Sequence, residues 1–191
     1  MKSLKHFILV CKHKLQVTKN AFHLGIFFQS FKHDLSKFTY HEFHESAKRY
    51  QGDKSPVFEQ RKECNNYSTI AVKHTSRNKH HWEYYTDFFR GKVLVCNIPY
   101  KYCLEYVADT LSAGKTYDKN NFSGKVVYEY FLAREKYYLM TDTTKEFIKW
   151  CLFTYMNEGF KGLKKKNTLA KYKELESMYP RVKEYKIEME D

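Results

Sequence analysis

The stretch His33-Asp34-Leu35-Ser36-Lys37-Phe38 organises the fold that this sequence predicts, because it places an imidazole next to a carboxylate. Neighbouring nitrogen and oxygen donors suit a borderline divalent metal ion. Two donors alone hold a metal weakly, so further ligands are expected elsewhere in the chain. The candidate donors are His13 upstream and His74, His80, His81 and Asp109 downstream. Their order along the chain indicates a metal site assembled from several helices.

Three of these histidines lie in the segment His74-Thr75-Ser76-Arg77-Asn78-Lys79-His80-His81-Trp82-Glu83. On an unbroken helix, His74 and His81 would share a face, and His80 would point about 100° away. On that basis we prefer His81 as the companion of His74 and keep His80 as the alternative. A helix break near Ser76-Arg77 would remove this preference.

Length and composition predict an all-α protein. A chain of 191 residues fits a single domain and buries about 70% of its unfolded surface without disulfides or a structural metal. A metal here is therefore expected to serve chemistry rather than to hold the fold together. The chain has 17 Tyr and 15 Phe but only 7 Gly and 3 Pro, which favours helices joined by few loops over a many-turned β-sandwich.

The cysteines and the apolar segments predict an intracellular protein. The five cysteines are odd in number, widely spaced and without a C-x-x-C pair, so reduced and mostly buried thiols are expected. No apolar run approaches the ~18 residues of a membrane-spanning helix. We therefore expect a cytoplasmic protein without a membrane partner.

The formal net charge of +12 favours anionic partners, such as nucleotides, nucleic acid or acidic lipid head groups. Charge alone does not choose among these partners. Part of the excess lies in the basic run Lys161–Lys166, and such a run is usually a solvated face.

Apolar spacing predicts most of the chain to be helical. A helix is expected over about 3–29, followed by helical structure to Lys37. The spacing Thr39-Tyr40-His41-Glu42 indicates a capping box that opens a helix closed by Gly52. Further helices are predicted over about 57–73, from Pro99 to Ala113 with Gly114 as cap, and over 126–138, 143–156 and 163–178. The type of Val93–Cys96 is left open, and the last four residues are expected to be loose.

Asp109 lies in an apolar part of its predicted helix, between Val107-Ala108 and Leu111. A buried and unpaired carboxylate is costly, and a metal or another cation removes that cost. Asp87 could take its place, but we interpret it as an exposed loop carboxylate.

The chain resembles the HD-domain superfamily of metal-dependent phosphohydrolases. The closer likeness is to a bacterial and phage family of small HD-like proteins, with the motifs H-D-L-S-K-F, N-K-H-H-W-E-Y and a later V-A-D. These motifs correspond to His33–Phe38, Asn78–Tyr84 and Val107–Asp109. The resemblance covers roughly residues 10–115, and the predicted helices over 126–178 lie outside it.

The resemblance implies a single compact HD-like helical bundle. It implies that a first metal is held by His13, His33, Asp34 and Asp109. In the binuclear members, further histidines hold a second metal, which here implies His74 with His81 or His80, and Asp34 as the bridge. The lysine of H-D-x-x-K, here Lys37, then meets phosphate. No glycine-tyrosine-proline motif follows Glu83, which argues against a cyclic-dinucleotide substrate and leaves hydrolysis open.

We therefore expect a metal-dependent phosphohydrolase that acts on a nucleotide or a related phosphate ester. A divalent metal lowers the pKa of a bound water from 15.7 toward about 7, and a second metal can also hold the phosphoryl oxygens. The expected catalytic residues are Asp34 and Lys37, and the expected substrate-binding residues are Lys37, Arg77, Asn78 and Lys115. The donors do not distinguish Mn, Fe, Zn, Co, Ni and Mg, or one ion from two.

Two alternative functions stay open. One is an HD-fold di-iron oxygenase, since His-rich ligation with carboxylates also suits iron. It would show iron content and oxygen consumption. The other is a basic nucleic-acid-binding protein with a structural metal site, which would bind nucleic acid in a salt-sensitive way without the metal.

Overall fold

The computed structural model describes residues 2–52, 54–117 and 120–186. Within these residues the chain forms nine α-helices and one small sheet, so the predicted predominantly helical class is confirmed. The helices are α1 (Lys2–His23), α2 (Phe27–Ser30), α3 (Tyr40–Lys48), α4 (Pro56–Glu63), α5 (Thr69–Thr75), α6 (Tyr100–Tyr117), α7 (Gly124–Arg134), α8 (Asp142–Glu158) and α9 (Lys165–Met178). The strands are β1 (Thr86–Phe89), β2 (Lys92–Cys96) and β3 (Val182–Lys186). Short 3-10 helices cover Leu35–Phe38, Trp82–Tyr85, Glu135–Tyr137 and Gly159–Lys161.

Within the described residues, the sheet is the departure from the all-α prediction. Its three strands are antiparallel in the order β1-β2-β3. Arg90 and Gly91 join β1 to β2 with positive φ angles of 51° and 73°, as a two-residue hairpin turn requires. Val93 and Val95 of β2 are buried, so the segment whose type the sequence left open is a strand with one face on the core.

The hydrophobic core lies between α6 and α8, and α1, α7 and α9 pack around them. Its fully buried members include Leu104, Val107 and Leu111 of α6 and Phe147, Ile148 and Leu152 of α8. Burying a side chain of this size stabilises the fold by about 1.5–3 kcal/mol. The helix that carries Asp109 is therefore held firmly in place.

Two predicted helices are broken by left-handed residues. The helix predicted over 3–29 ends at His23, because Gly25 (φ 73°) reverses the chain and the Ile26 amide donates to the Ala21 carbonyl in a Schellman cap. The helix predicted over 57–73 is interrupted after α4, where Asn65 and Asn66 have φ angles of 48° and 67°. Asn tolerates this conformation, which ends a helix.

The predicted capping box at the start of α3 is wrong. Thr39 precedes the helix, but its hydroxyl donates to the Ser36 carbonyl at 2.7 Å and caps no amide. Glu42 does not reach back to Thr39, because its carboxylate accepts from His74 Nδ1 at 2.8 Å. The helix ends at Lys48, before Gly52.

The helix predicted to end at Gly114 continues to Tyr117. A Cβ at Gly114 would lie 3.1 Å from Val127 Cγ2, so this glycine allows α7 to pack closely on α6. Other boundaries agree with the sequence. Thr141 caps α8 by accepting from the Thr144 amide, and α9 ends at Met178, two residues before Pro180.

The described cysteines are all free, and Cys103 and Cys151 are buried, whereas Cys64 is exposed. In the described ranges no helix has the length and apolar character needed to cross a membrane. The C-terminal residues 188–191, expected to be loose, lie outside the described residues.

Candidate metal centre

His33 and Asp34 lie in the tight turn between α2 and the 3-10 helix Leu35–Phe38. Asp34 has left-handed backbone angles (φ 52°, ψ 28°), which Asp adopts more readily than most residues. Adjacent side chains on a regular helix diverge by about 100°. Here the turn instead leaves His33 Nε2 and Asp34 Oδ2 3.3 Å apart, so both donors reach one point.

Lys14 of α1 stabilises this turn through hydrogen bonds to its backbone. Its ammonium donates hydrogen bonds to the carbonyl oxygens of Ser30, Phe31 and His33, at 3.3, 3.2 and 2.7 Å. Carbonyls at the end of a helix lack partners within the helix, and a lysine can supply them. Lys14 therefore positions the backbone that carries the His-Asp pair.

A first group of donors consists of His13, His33, Asp34 and Asp109, whose ligand atoms all lie within 4.8 Å of one another. His13 Nε2 is 2.8 Å from Asp109 Oδ1, and His33 Nε2 is 3.4 Å from the same oxygen. The packing of α1 against α6 brings His13 to Asp109. Asn20, two turns after His13, reinforces this packing with hydrogen bonds to Ala108 O and Ser112 Oγ of α6.

A second group consists of His74, His80 and His81, again with ligand atoms within 4.8 Å of one another. Helix α5 ends at Thr75, so the unbroken helix on which the preference for His81 depended is wrong. The chain turns between His74 and His80, and both neighbouring imidazoles enter the cluster. The choice between His80 and His81 therefore does not arise, because the structure places both beside His74.

Asp34 lies between the two groups. Its Oδ2 faces His33 at 3.3 Å, whereas its Oδ1 is 3.4 Å from His74 Nε2 and 3.6 Å from His80 Nε2. Each oxygen of one carboxylate thus faces a different set of imidazoles. This is the arrangement expected of a carboxylate that bridges two metal ions.

Two buried glutamates orient the imidazoles. Glu105 Oε1 lies 2.9 Å from His33 Nδ1 and 3.3 Å from His80 Nδ1, and Gln29 donates to its other oxygen. Glu42 accepts from His74 Nδ1 at 2.8 Å. In each case the glutamate carboxylate contacts Nδ1 of the imidazole, and Nε2 of the same ring faces Asp34. Carboxylates that fix histidine ligands in this way are usual around protein metal sites.

The two aspartates of the cluster are held in the ionised form. Burial opposes ionisation of Asp34, but Lys37 and His33 outweigh it and keep the pKa of its carboxyl well below the ordinary value. Burial likewise opposes ionisation of Asp109, but the hydrogen bond from His13 and the nearby imidazole of His33 keep the pKa of that carboxyl well below its ordinary value. Both carboxylates therefore carry the charge that a cation requires.

The chemistry of the donor set fits a divalent metal. Nε2 of His33, His80 and His81 is buried and forms no hydrogen bond with any described residue. Buried polar atoms nearly always have a partner. Burial, together with the neighbouring His80, keeps the pKa of His81 well below its ordinary value, so this imidazole is neutral near pH 7. Neutral imidazole and ionised carboxylate are the forms that bind divalent metals.

The structure places two of the predicted substrate-binding residues near the cluster. Lys37 Nζ lies 2.5 Å from Asp34 Oδ2, and its side chain is 30% exposed. Burial disfavours the charge of Lys37, but Asp34 and Asp109 outweigh this and raise the pKa of the ammonium. Asn78 is buried and donates to Ser36 Oγ at 2.9 Å and to the His74 carbonyl at 2.8 Å, so it holds the loop rather than facing a substrate.

Arg77 and Lys115 are not brought to the cluster. Both side chains are exposed, and Lys115 lines a groove with Lys12 and Lys19 on the outside of α1. Asp87 is also exposed, on β1, where it accepts a hydrogen bond from the Phe88 amide. It does not replace Asp109.

Several residues of the site are absent from the candidates that the sequence suggested. Three of them position other residues of the site: Glu42 contacts His74, Glu105 contacts His33 and His80, and Lys14 contacts the backbone of His33. A fourth is His6, one heptad before His13 on α1, which is buried against Phe43. The heptad spacing was the available indication for His6, whereas the two glutamates have no local sequence pattern that marks them.

A cavity of about 190 Å³ opens beside the cluster. Its wall carries His13, His74, His81, Asp109 and Lys37 from the cluster and its neighbourhood, together with His6, Glu42 and Tyr117. The cavity therefore gives a small molecule access to both donor groups and to the Lys37 ammonium.

Residues 2–152 of the chain match the model of a family described as a family of unknown function, DUF5662. The chain belongs to this family. The matched range contains every donor of both groups and both orienting glutamates. No curated protein and no solved structure matches the chain.

Changing Lys14 to Met is expected to weaken metal binding by about 10–100-fold, because loss of a group that positions a ligand typically has that effect. Metal titration by calorimetry measures it. Lys12→Met is the matched control, since Lys12 is exposed on the same helix and should keep the wild-type affinity. Unchanged affinity in Lys14→Met would show that the turn keeps its shape without the lysine.

Proposed function

We propose that the chain is a metal-dependent phosphohydrolase that acts on a nucleotide or a related phosphate ester. The observation that carries this proposal is the Asp34 carboxylate, with one oxygen toward His33 and the other toward His74 and His80. Nitrogen and oxygen donors that surround a shared carboxylate suit a pair of divalent ions. This arrangement also supports the resemblance to the HD-domain superfamily.

Lys37 can assist the hydrolysis beside a bound metal. When bound, a divalent metal would lower the pKa of a coordinated water and neutralise phosphoryl oxygens. Lys37 lines the cavity and offers a cation to the phosphoryl group, at a point where negative charge builds up. In the reaction, the water oxygen forms a new bond to phosphorus, the ester P–O bond breaks, and the leaving alcohol takes up a proton.

The size of the cavity supports a phosphoryl group as the part that binds here. The cavity beside the cluster has a volume of about 190 Å³. Pockets that enclose a whole drug-sized ligand are typically about 300–1,000 Å³. The organic part of a nucleotide must therefore lie outside this cavity.

A phosphate-release screen over nucleotides and simple phosphate esters, with each candidate metal in turn, tests the proposal. We expect release that requires an added divalent metal and is lost in His33→Ala. His41→Ala, an exposed histidine of α3, is the matched control and should retain activity. Metal-loaded protein that releases no phosphate but consumes oxygen would contradict the proposal in favour of the di-iron oxygenase.

Replacing His74 and His81 together with Ala is expected to reduce the metal content from about two ions to about one. The reason is that the first group, centred on His33 and Asp109, remains intact. Elemental analysis measures the content, and the double variant of His41 and His44, both exposed, is the control. Loss of all metal, or of none, would contradict the division into two groups.

A further inference from the structure

A second and larger cavity, of about 550 Å³, also adjoins the cluster; we call it the aromatic chamber. His81, Asp109 and Tyr117 line both the aromatic chamber and the smaller cavity. His81 and Asp109 belong to the donor cluster, so both spaces adjoin it. A ligand with a phosphoryl group in the smaller cavity can place its organic part in the chamber.

The walls of the chamber suit a flat ring. Its aromatic residues are Trp82, Tyr106, Tyr117, Tyr130, Phe131 and Tyr138. Helix α6 also contributes the small side chains of Thr110 and Ala113 to this wall. The volume falls in the range of about 300–1,000 Å³ that is typical of ligand pockets. Aromatic side chains bind nucleobases by stacking, because every base has a flat π face.

Glu83 gives the chamber a polar contact. Among the described residues of its wall, the carboxylates are Glu83 and Asp109, and Asp109 belongs to the donor cluster. Glu83 Oε2 is buried and has no hydrogen-bond partner in the described ranges. An unpaired buried oxygen is costly, so it is expected to accept an N–H from a ligand.

We infer that the aromatic chamber binds the base of a guanine nucleotide, with Glu83 accepting hydrogen bonds from the base. Guanine presents a ring N–H beside an amino group, two adjacent donors that match a carboxylate. Adenine presents one amino group beside an acceptor nitrogen, which a carboxylate repels. The inference rests on the proposed phosphohydrolase function for the placement of the phosphate, but the recognition of the base depends only on the chamber.

Binding of guanosine and adenosine to the full chain, by equilibrium dialysis in a metal chelator, tests the inference without phosphate or catalysis. We expect guanosine to bind at least about tenfold more tightly than adenosine, as a hydrogen bond to a charged group gives. Glu83→Gln should lose this preference, whereas Glu129→Gln, an exposed carboxylate of α7, should keep it. Equal binding of the two nucleosides by the wild-type protein would overturn the inference, and so would a preference that survives in Glu83→Gln.

Phosphate release from guanosine 5′-monophosphate separates this inference from the proposed function. Selective guanosine binding without phosphate release from any nucleotide would leave the chamber assigned and contradict the hydrolase. Metal-dependent release that is equal for guanine and adenine nucleotides, with no selective nucleoside binding, would support the hydrolase and contradict the assignment of the chamber to guanine.

Discussion

Changing Asp34 to Asn is expected to abolish tight metal binding and to lower kcat/KM for phosphate release by about 10⁴-fold or more, as loss of an essential catalytic group does. The two Asp34 oxygens face both donor groups, so the loss of its charge affects both. Asn keeps the shape of the side chain and tolerates the left-handed backbone (φ 52°), which Ala would strain by about 1–2 kcal/mol. The variant should therefore fold.

Asp87→Asn is the matched control for this variant, because Asp87 is an exposed carboxylate on β1. It should keep the wild-type metal content and activity. The readouts are elemental analysis, phosphate release and the melting temperature measured with and without added metal. Bound metal raises the melting temperature by mass action, so this increase should vanish in Asp34→Asn. Full metal content and activity in Asp34→Asn would contradict the bridging role.

Changing Lys37 to Met is expected to lower phosphohydrolase activity by about 10²-fold or more while metal content and melting temperature stay unchanged. Lys37 is one turn beyond Asp34 and lines the cavity, so its ammonium can reach a phosphoryl group there. Met keeps most of the packing of the stem and removes the charge. Asp34 retains His33 and His74 as close neighbours, so its carboxylate stays in place.

Lys32→Met is the control, since Lys32 is exposed in the same turn. It should behave as the wild-type protein. An unchanged kcat/KM in Lys37→Met would remove Lys37 from the mechanism. A variant without metal would show instead that the lysine is structural and holds Asp34 in position.

The donors of the site could be predicted from sequence because each is a His or an Asp in an informative position. The structure brings together His13, His33, Asp34, His74, His80, His81 and Asp109. The orienting glutamates could not be predicted, because a glutamate on a helix ordinarily faces solvent. Glu42 was assigned to a capping box for that reason, and only the tertiary packing of α3 against α5 shows that it serves His74.

In the fold, too, features set by neighbouring residues could be predicted, whereas features that depend on residues far along the chain could not. Helix ends marked by Thr141 or Pro180 were predictable, since their effect is local. The break at Asn65-Asn66 was missed because Asn is compatible with both a helix and a left-handed turn. The sheet was missed because β2 pairs with β3 some ninety residues later, as in Val93↔Tyr185, and no local pattern specifies such a partner.

The metal content of the protein after dialysis against a divalent metal, compared between wild type, His33→Ala and His41→Ala, tests the central claim most directly. His33 Nε2 lies within 3.4 Å of both Asp34 and Asp109, so the first group cannot form without it. The account predicts one or two ions per chain in the wild type and in His41→Ala, and at least one ion fewer per chain in His33→Ala. Equal metal content in all three proteins, or none in any of them, would contradict it.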